Sequence, residues 1–313
     1  MPRVSWMLAA SGLVLSGCAP ARFEKATTSF SSSVTTLSTA MDTSLIGLAR
    51  EETALREQRL ISQGVVPQLS VACLEAEVTG PKGERLPACG LVASRGRVPE
   101  LSPVWRQKTE ALRILDALAV YAKGLQDLTS AETRKQTDEA VDSIALGIGG
   151  ALTLAGQPEM APLAVAAVKL GGFAWAEAQD ARRYRHLQKS VEVGQSALVV
   201  VGPVLGDAFG AVNDARRGIG VETGTLLIRA VHPGTREYAA AFARVSAQAA
   251  QVEALQRADP AQAVTEMIKA HAALAQALKD NKGETVAVAQ AMAELANRVT
   301  AVRTAIEAAK KGG

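Results

Sequence analysis

Hydrophobic residues recur at every third or fourth position along most of this chain, the spacing that places them on one face of an α-helix. The first run keeps a spacing of about 3.5 residues over about five heptads, as in a coiled-coil seam. Its members are Phe23, Thr27, Phe30, Val34, Leu37, Met41, Ser44, Leu48 and Leu55. The pattern predicts one long helix from about residue 22 to residue 62, ended by Gly64 and Pro67.

The same spacing returns at Trp105 and continues to the end of the chain. A helix from Trp105 to about Leu128 carries an apolar face of Leu112, Leu115, Leu118, Ala122 and Leu125. Three further seams are Tyr238, Phe242, Val245, Ala249 and Val252; Val264, Met267, His271, Leu274 and Leu278; and Val288, Met292, Leu295, Val299, Val302 and Ile306. Short turns at Asp259-Pro260 and at Asn281 to Gly283 predict that these three helices fold back antiparallel on one another. The whole pattern predicts an all-α fold, a bundle of long antiparallel helices with coiled-coil-like seams.

Proline and glycine interrupt the helical pattern in two regions. Residues 63–104 contain Pro67, Gly80, Pro81, Gly83, Pro87, Gly90, Gly96, Pro99 and Pro103. Two short alternating runs, 69–73 and 88–92, flank the turn at 79–83 and predict a hairpin or compact loop inserted into the bundle. Further on, Gly202-Pro203 predicts a kink or break. Gly206, Gly210, Gly218, Gly220 and Gly224 predict irregular backbone after it.

Residues 144–176 form the most apolar part of the chain after the leader, with Glu159 and Lys169 as their only charges. Gln157-Pro158-Glu159 divides them into two arms, and Gly147, Ala151 and Ala155 make a ridge of small residues on the first arm. Each arm is shorter than the roughly 20 residues that cross a bilayer. We expect a buried central hairpin that is apolar all round because neighbouring helices cover it. The alternative is a hairpin that inserts into a membrane, as in helical pore-forming toxins.

A basic stripe follows this hairpin. Arg182, Arg185, His186 and Lys189 stand at positions i, i+3, i+4 and i+7 of one predicted helix. Such a stripe is usually a solvated helix face, and we expect that here. The functional alternative is contact with anionic lipid headgroups or other envelope polyanions.

The N-terminal residues have the parts of an export signal. Arg3 precedes an apolar segment from Val4 to Leu15, and Leu15-Ser16-Gly17-Cys18 follows. These four residues resemble the lipobox of bacterial lipoproteins. The resemblance implies that residues 1–17 are removed and that Cys18 becomes the acylated N-terminus, anchored in membrane lipid. The other interpretation is an ordinary secretory signal followed by a chance cysteine. Ala19 and Pro20 come next, without the aspartate that favours inner-membrane retention, so we expect the outer membrane with the protein facing the periplasm.

Composition narrows the classes of function. Removal of residues 1–17 takes Arg3 from the 34 basic side chains and leaves 33 against 31 acidic ones. This balance, together with export, argues against nucleic acid as a partner. Aromatic residues make up 4% of the chain, which favours helices packed through small side chains.

Two cysteines remain after Cys18, and an even pair in an exported protein predicts a disulfide between Cys73 and Cys89. The alternative is a metal or redox site, but no histidine lies nearby and the spacing is not C-x-x-C. The predicted organisation is then a signal peptide at 1–17, a tether and long helix at 18–62, a disulfide-containing insertion at 63–104, and a helical bundle at 105–313.

The sequence lacks the motifs of known catalytic chemistry. His186, His232 and His271 are dispersed, and His271 occupies a seam position typical of a core histidine. Gly147-Ile148-Gly149-Gly150 fails as a dinucleotide loop because Leu152 replaces the last glycine and no strand precedes it. We therefore expect no enzyme activity, no metal and no cofactor. The expected function is a lipid-anchored, periplasm-facing scaffold or adaptor with a protein partner in the bacterial envelope. The competing hypothesis is a membrane-active protein that inserts 144–176.

Overall fold

A computed structural model describes residues 20–62, 68–69, 77–79, 85–87, 91–92, 103–170, 179–282 and 285–312. Within these ranges the chain forms eight α-helices after a short 3-10 turn at Ala21–Phe23. They are α1 (Glu24–Ser62), α2 (Pro103–Ser130), α3 (Arg134–Leu154), α4 (Met160–Leu170), α5 (Gln179–Arg229), α6 (Arg236–Ala258), α7 (Pro260–Lys279) and α8 (Val286–Gly312). The predicted all-α bundle is confirmed.

Four short strands mark the insertion between α1 and α2. They are β1 (Gln68–Leu69), β2 (Glu77–Thr79), β3 (Arg85–Pro87) and β4 (Leu91–Val92). β1 pairs antiparallel with β4, and β2 pairs antiparallel with β3. The pairing agrees with the predicted hairpin. Cys73 and Cys89 lie outside the described residues, so the disulfide stays a prediction.

The seam of α1 is buried along its whole length. Each of its nine predicted positions exposes 5% or less of its surface. α1 runs antiparallel to α2: the hydroxyls of Thr27 and Thr129 lie 2.9 Å apart, and Ser38 donates to Asp116 Oδ1 at 2.6 Å. The heptad pattern therefore located both the helix and its core face correctly.

Small residues bring α2 and α3 into close contact, as the predicted ridge requires. A Cβ atom placed on Gly147 would lie 2.5 Å from the backbone nitrogen of Tyr121. Ala151, one turn further along, is fully buried. Thr133 begins α3 with a capping box: its hydroxyl accepts from Gln136 N at 3.2 Å, and Gln136 Oε1 accepts from Thr133 N at 3.0 Å.

Of the kink or break predicted at Gly202-Pro203, the break does not occur, and the irregular stretch predicted after it is wrong. α5 is one helix from Gln179 to Arg229 that passes through Pro203 and all of these glycines. It packs against α1, α2, α3, α4, α6 and α7, and tertiary burial outweighs the low helix propensity of glycine. Gly202 has a packing role, since a Cβ there would lie 2.4 Å from Ile268 Cδ1 of α7.

α5 is also the one described helix that is long and apolar enough, by length and composition, to cross a membrane. About two fifths of that apolar stretch, 39%, is buried against the other helices.

The predicted fold-back of α6 on α7 is also wrong. A single residue, Asp259, joins the two helices in the left-handed region at φ 43°, and its carboxylate accepts from Gln262 N at 3.1 Å. Instead, α7 continues in the same direction as α6, and both helices run antiparallel to α5. The close approaches are Gly224 with Val245, Gly220 with Val252, Gly202 with Ile268, and Tyr184 with Leu278. α8 then returns along α1, α6 and α7 with all six of its predicted seam residues buried.

The apolar hairpin divides where the sequence predicts, at a turn over residues 155–159. It is not covered all round, however: Leu146 and Leu163 are each 72% exposed. α4 lies at the surface against α3 and α5, so its outer face meets solvent. Lys169 reaches that surface and pairs with Asp142 at 2.9 Å. Residues 171–176 lie outside the described part of the chain.

Candidate functional site

Three of the predicted site residues cannot be placed. Cys18, the predicted lipid attachment point, and Cys73 and Cys89, the predicted disulfide, lie outside the described residues. The described chain begins at Pro20, two residues after Cys18. The end of the bundle that contains Pro20 is therefore the end at which a lipid would be attached.

The basic stripe on α5 lies at this same end, but it is not the solvated face that the sequence predicts. His186 is 2% exposed, and its pKa is lowered by burial and by the nearby Arg182. Arg182 donates to Asp138 Oδ1 at 2.8 Å, and Lys189 donates to Glu192 at 3.0 Å. Arg185 is half-buried. Headgroup contact stays a prediction for the three cations, whereas buried His186 is out of reach of a headgroup.

A buried polar network surrounds His271, as expected for a core histidine. The imidazole Nε2 lies 2.6 Å from the Tyr121 hydroxyl and Nδ1 lies 2.8 Å from Gln195 Oε1. Both contacts are satisfied when Nδ1 donates to the amide oxygen and Nε2 accepts from the phenol, which is the neutral imidazole. Burial lowers the pKa of His271 to about 3 and raises that of Tyr121 well above 10. Packed side chains enclose the network, which joins α2, α5 and α7 by hydrogen bonds in the core.

An open groove with a volume of about 590 Å³ lies between the C-terminal part of α5 and α6. Its lining residues are Arg217, Gly220, Val221, Gly224, Thr225, Ile228, Arg229, Val245, Gln248, Ala249, Val252, Glu253 and Gln256. Val221 on α5 is 68% exposed, and Phe242, one turn beyond the groove on α6, is 58% exposed. We call this feature the α5–α6 groove.

The groove exists because the predicted seam of α6 is only partly covered. Val245 and Val252 contact α5 at Gly224 and Gly220, where the absence of side chains lets the two helices approach. Ala249, between these two valines in the heptad, is exposed. The predicted seam is not the buried face of α6: none of its five residues is buried, and α6 instead buries Ala241, Leu255 and Ala258. The fold-back that would have covered the predicted seam does not occur.

The polar rim of the groove differs between its two edges. On the α5 edge, Arg217 and Arg229 are both exposed, and Arg217 pairs with Asp214 on its own helix at 2.9 Å. On the α6 edge, Glu253 pairs with Arg257 at 3.5 Å. The α5 edge is therefore the more positively charged of the two.

Two arginine side chains fix α1 to α5 near the groove. The buried guanidinium of Arg216 donates to Glu51 Oε2 at 3.1 Å, to the Ser44 hydroxyl at 3.1 Å and to the Ser44 carbonyl at 2.9 Å. Arg59, close to the end of α1, pairs with Glu222. These contacts anchor the far end of α1 on the helix that forms one wall of the groove.

No protein-family model, curated protein or solved structure matches this chain. Among the described residues, no group of three or more His, Cys, Asp or Glu side chains is arranged to hold a metal ion. The α5–α6 groove is the candidate site because its lining is mostly apolar and polar residues stand on both of its edges.

Proposed function

We propose that this chain is a lipid-anchored, periplasm-facing scaffold or adaptor of the bacterial envelope, and that its α5–α6 groove holds a helix of a partner protein. The observation that carries the proposal is the open groove, where apolar positions of two helices line a cleft that no other described helix fills. Exposed apolar surface bounded by polar residues is characteristic of interaction sites.

The distance between the predicted anchor and the groove supports this assignment. The ring centroids of Phe23 and Tyr184 lie 6.4 Å apart, so residue 184 of α5 is level with the N-terminal end. From Tyr184 to Gly220 the helix rises about 54 Å, at about 1.5 Å per residue. A lipid on Cys18 would then place the groove about 50 Å from the membrane surface if the bundle stands upright. A partner there would be a protein of the aqueous compartment.

The second candidate function is membrane insertion by the apolar hairpin, which the exposure of Leu146 and Leu163 favours. The hairpin turn lies about 30 Å along α3 from the anchored end, at about 1.5 Å per residue. It also carries Gln157 and Glu159 rather than apolar residues. Leakage of liposomes on addition of the unlipidated protein would support this second function, and Leu163→Glu should then abolish the leakage.

Site-specific photocrosslinking in cells tests the scaffold proposal. A photoreactive amino acid at Val221, inside the groove, should give one discrete protein adduct. Val199 is a matched control, since it is an exposed valine of the same helix outside the groove. The same adducts from both positions, or none from Val221, would contradict the groove as the partner site.

A further inference from the structure

We infer that the occupant of the α5–α6 groove is a single amphipathic helix of a partner protein, with acidic side chains along the edge that faces α5. The inference rests on the proposed function and adds the chemistry of the partner. It follows from the length of the groove, the spacing of its apolar residues and the charges on its rim.

The groove has the length of about three helical turns. From Arg217 to Arg229, α5 rises about 18 Å, at about 1.5 Å per residue. On α6, Val245, Ala249 and Val252 repeat at i, i+4 and i+7, and on α5, Val221 and Ile228 are seven residues apart. Rows with this spacing accept the i, i+3, i+4 and i+7 anchors of an amphipathic helix.

The charges on the rim of the groove indicate which charged side chains the bound helix should carry along its polar edge. Arg217 and Arg229 stand at opposite ends of the α5 edge, twelve residues apart in sequence. Arg217 also pairs with Asp214 on its own helix at 2.9 Å, whereas Arg229 has no ion-pair partner among the described residues. Carboxylates about three turns apart on the occupant would meet both guanidinium groups. On the α6 edge Glu253 is partnered by Arg257, and its neighbours Gln248 and Gln256 are neutral, so that edge sets no strong charge preference.

The shape of the groove favours a separate helix over a second copy of this chain. Two grooves placed face to face would both be concave and would leave unfilled space between them, whereas one helix fills a cleft between two others. Such a pairing would also bring two arginine-bearing edges into one interface. Lipid is disfavoured as an occupant because the groove lies about 50 Å from the predicted anchor, at about 1.5 Å of rise per residue.

Binding of two matched peptides to the full mature chain in lipid nanodiscs tests the inference. Both are 18-residue labelled helices with leucine and alanine in a heptad row; one carries glutamate along one edge, and the other carries lysine there. Fluorescence anisotropy should show the glutamate peptide binding about five- to tenfold more tightly, since each exposed ion pair contributes modestly. Empty nanodiscs measure binding to lipid alone.

Substitutions inside and outside the groove test whether the peptides bind there. Ala249→Arg fills the floor and should abolish binding of both peptides, whereas Val199→Arg, outside the groove on α5, should leave it unchanged. The double variant Arg217→Glu/Arg229→Glu should reverse the preference toward the lysine peptide. Circular dichroism of each variant confirms that the helical fold is retained.

Three results would overturn the inference: equal binding of both peptides, no binding of either, or binding that survives Ala249→Arg. Concentration-dependent dimerisation that Ala249→Arg abolishes would assign the groove to a second copy. If the peptides fail while Val221 still crosslinks to a discrete partner, the scaffold function stands and only the acidic helix is wrong.

Discussion

At the scale of single residues, the centre of the bundle depends on polar groups that are buried in one particular protonation state. His271 is fully enclosed, and its two ring nitrogens are used by Tyr121 and Gln195. Sequence indicated that His271 is a core residue because it falls on the seam of α7. The sequence did not indicate the partners of His271, because Tyr121 and Gln195 are 150 and 76 residues away along the chain.

The pKa of His271 predicts a loss of stability in mild acid. Burial lowers it from 6.5 to about 3, so below pH 6.5 the unfolded chain binds a proton that the folded chain does not bind. The free energy of unfolding should therefore fall by about 1.6 kcal/mol between pH 6.5 and pH 5 from this residue alone. Urea denaturation of His271→Gln should show a flatter pH dependence over this range. Some slope should remain because burial also lowers the pKa of His186.

Two glycines of α5 should respond to the same substitution in opposite directions. A Cβ on Gly194 would lie 2.0 Å from the Tyr121 hydroxyl, inside the core, whereas a Cβ on Gly206 would have no atom within 4 Å. Gly194→Ala should destabilise the fold by about 1–3 kcal/mol through overpacking. Gly206→Ala should stabilise it by up to about 1 kcal/mol because alanine is the better helix former. Equal effects in chemical denaturation would contradict this account of α5.

At the scale of elements, the predictions succeeded where local pattern and burial agree. α1, α2, α7 and α8 bury the seams that the heptad spacing indicated. The prediction failed for α5 because the low helix propensities of glycine and proline, on which it rested, describe the local chain alone. The contacts that keep α5 helical through Gly202 and Pro203 come from six other helices. The groove was not predictable because the seam of α6 is the same in sequence whether or not another helix covers it.

Arg216 tests how α1 is held on α5. Its side chain is 6% exposed, while that of its partner Glu51 is 32% exposed. Glu51→Gln removes the negative charge and leaves the buried cation with neutral acceptors alone, the new amide oxygen and Ser44, which should cost about 1–2 kcal/mol after allowance for solvent screening. Arg216→Met removes the charge together with its need for a partner and should cost less. Thermal unfolding of both variants gives the comparison, and a larger loss in Arg216→Met would contradict it.

At the scale of the whole molecule, the long axis of α5 separates two ends with different properties. One end gathers the N-terminal residues, the start of α5 and the end of α7; the other carries the α5–α6 groove and the end of α1. In the proposed scaffold the first end meets the membrane and the second meets the partner.

Loss of the predicted lipid anchor should change where the protein is located in the cell without changing what the α5–α6 groove binds. Cys18→Ala should remove metabolic acyl labelling and either release the protein from membranes or leave an unprocessed precursor, because the lipobox resemblance assigns the lipid to this residue. The purified variant should still bind the glutamate peptide, since the groove lies far from residue 18. Unchanged acyl labelling of Cys18→Ala would contradict the lipoprotein assignment.

The exposure of Val221 and Ala249 has a consequence for how this protein can evolve. Substitutions of exposed side chains away from the core change the free energy of unfolding by about 0.5 kcal/mol or less. The residues that would choose a partner are thus largely separate from those that maintain the fold. In the proposed scaffold, new specificities would arise at the α5–α6 groove by single substitutions, without compensating changes elsewhere in the chain.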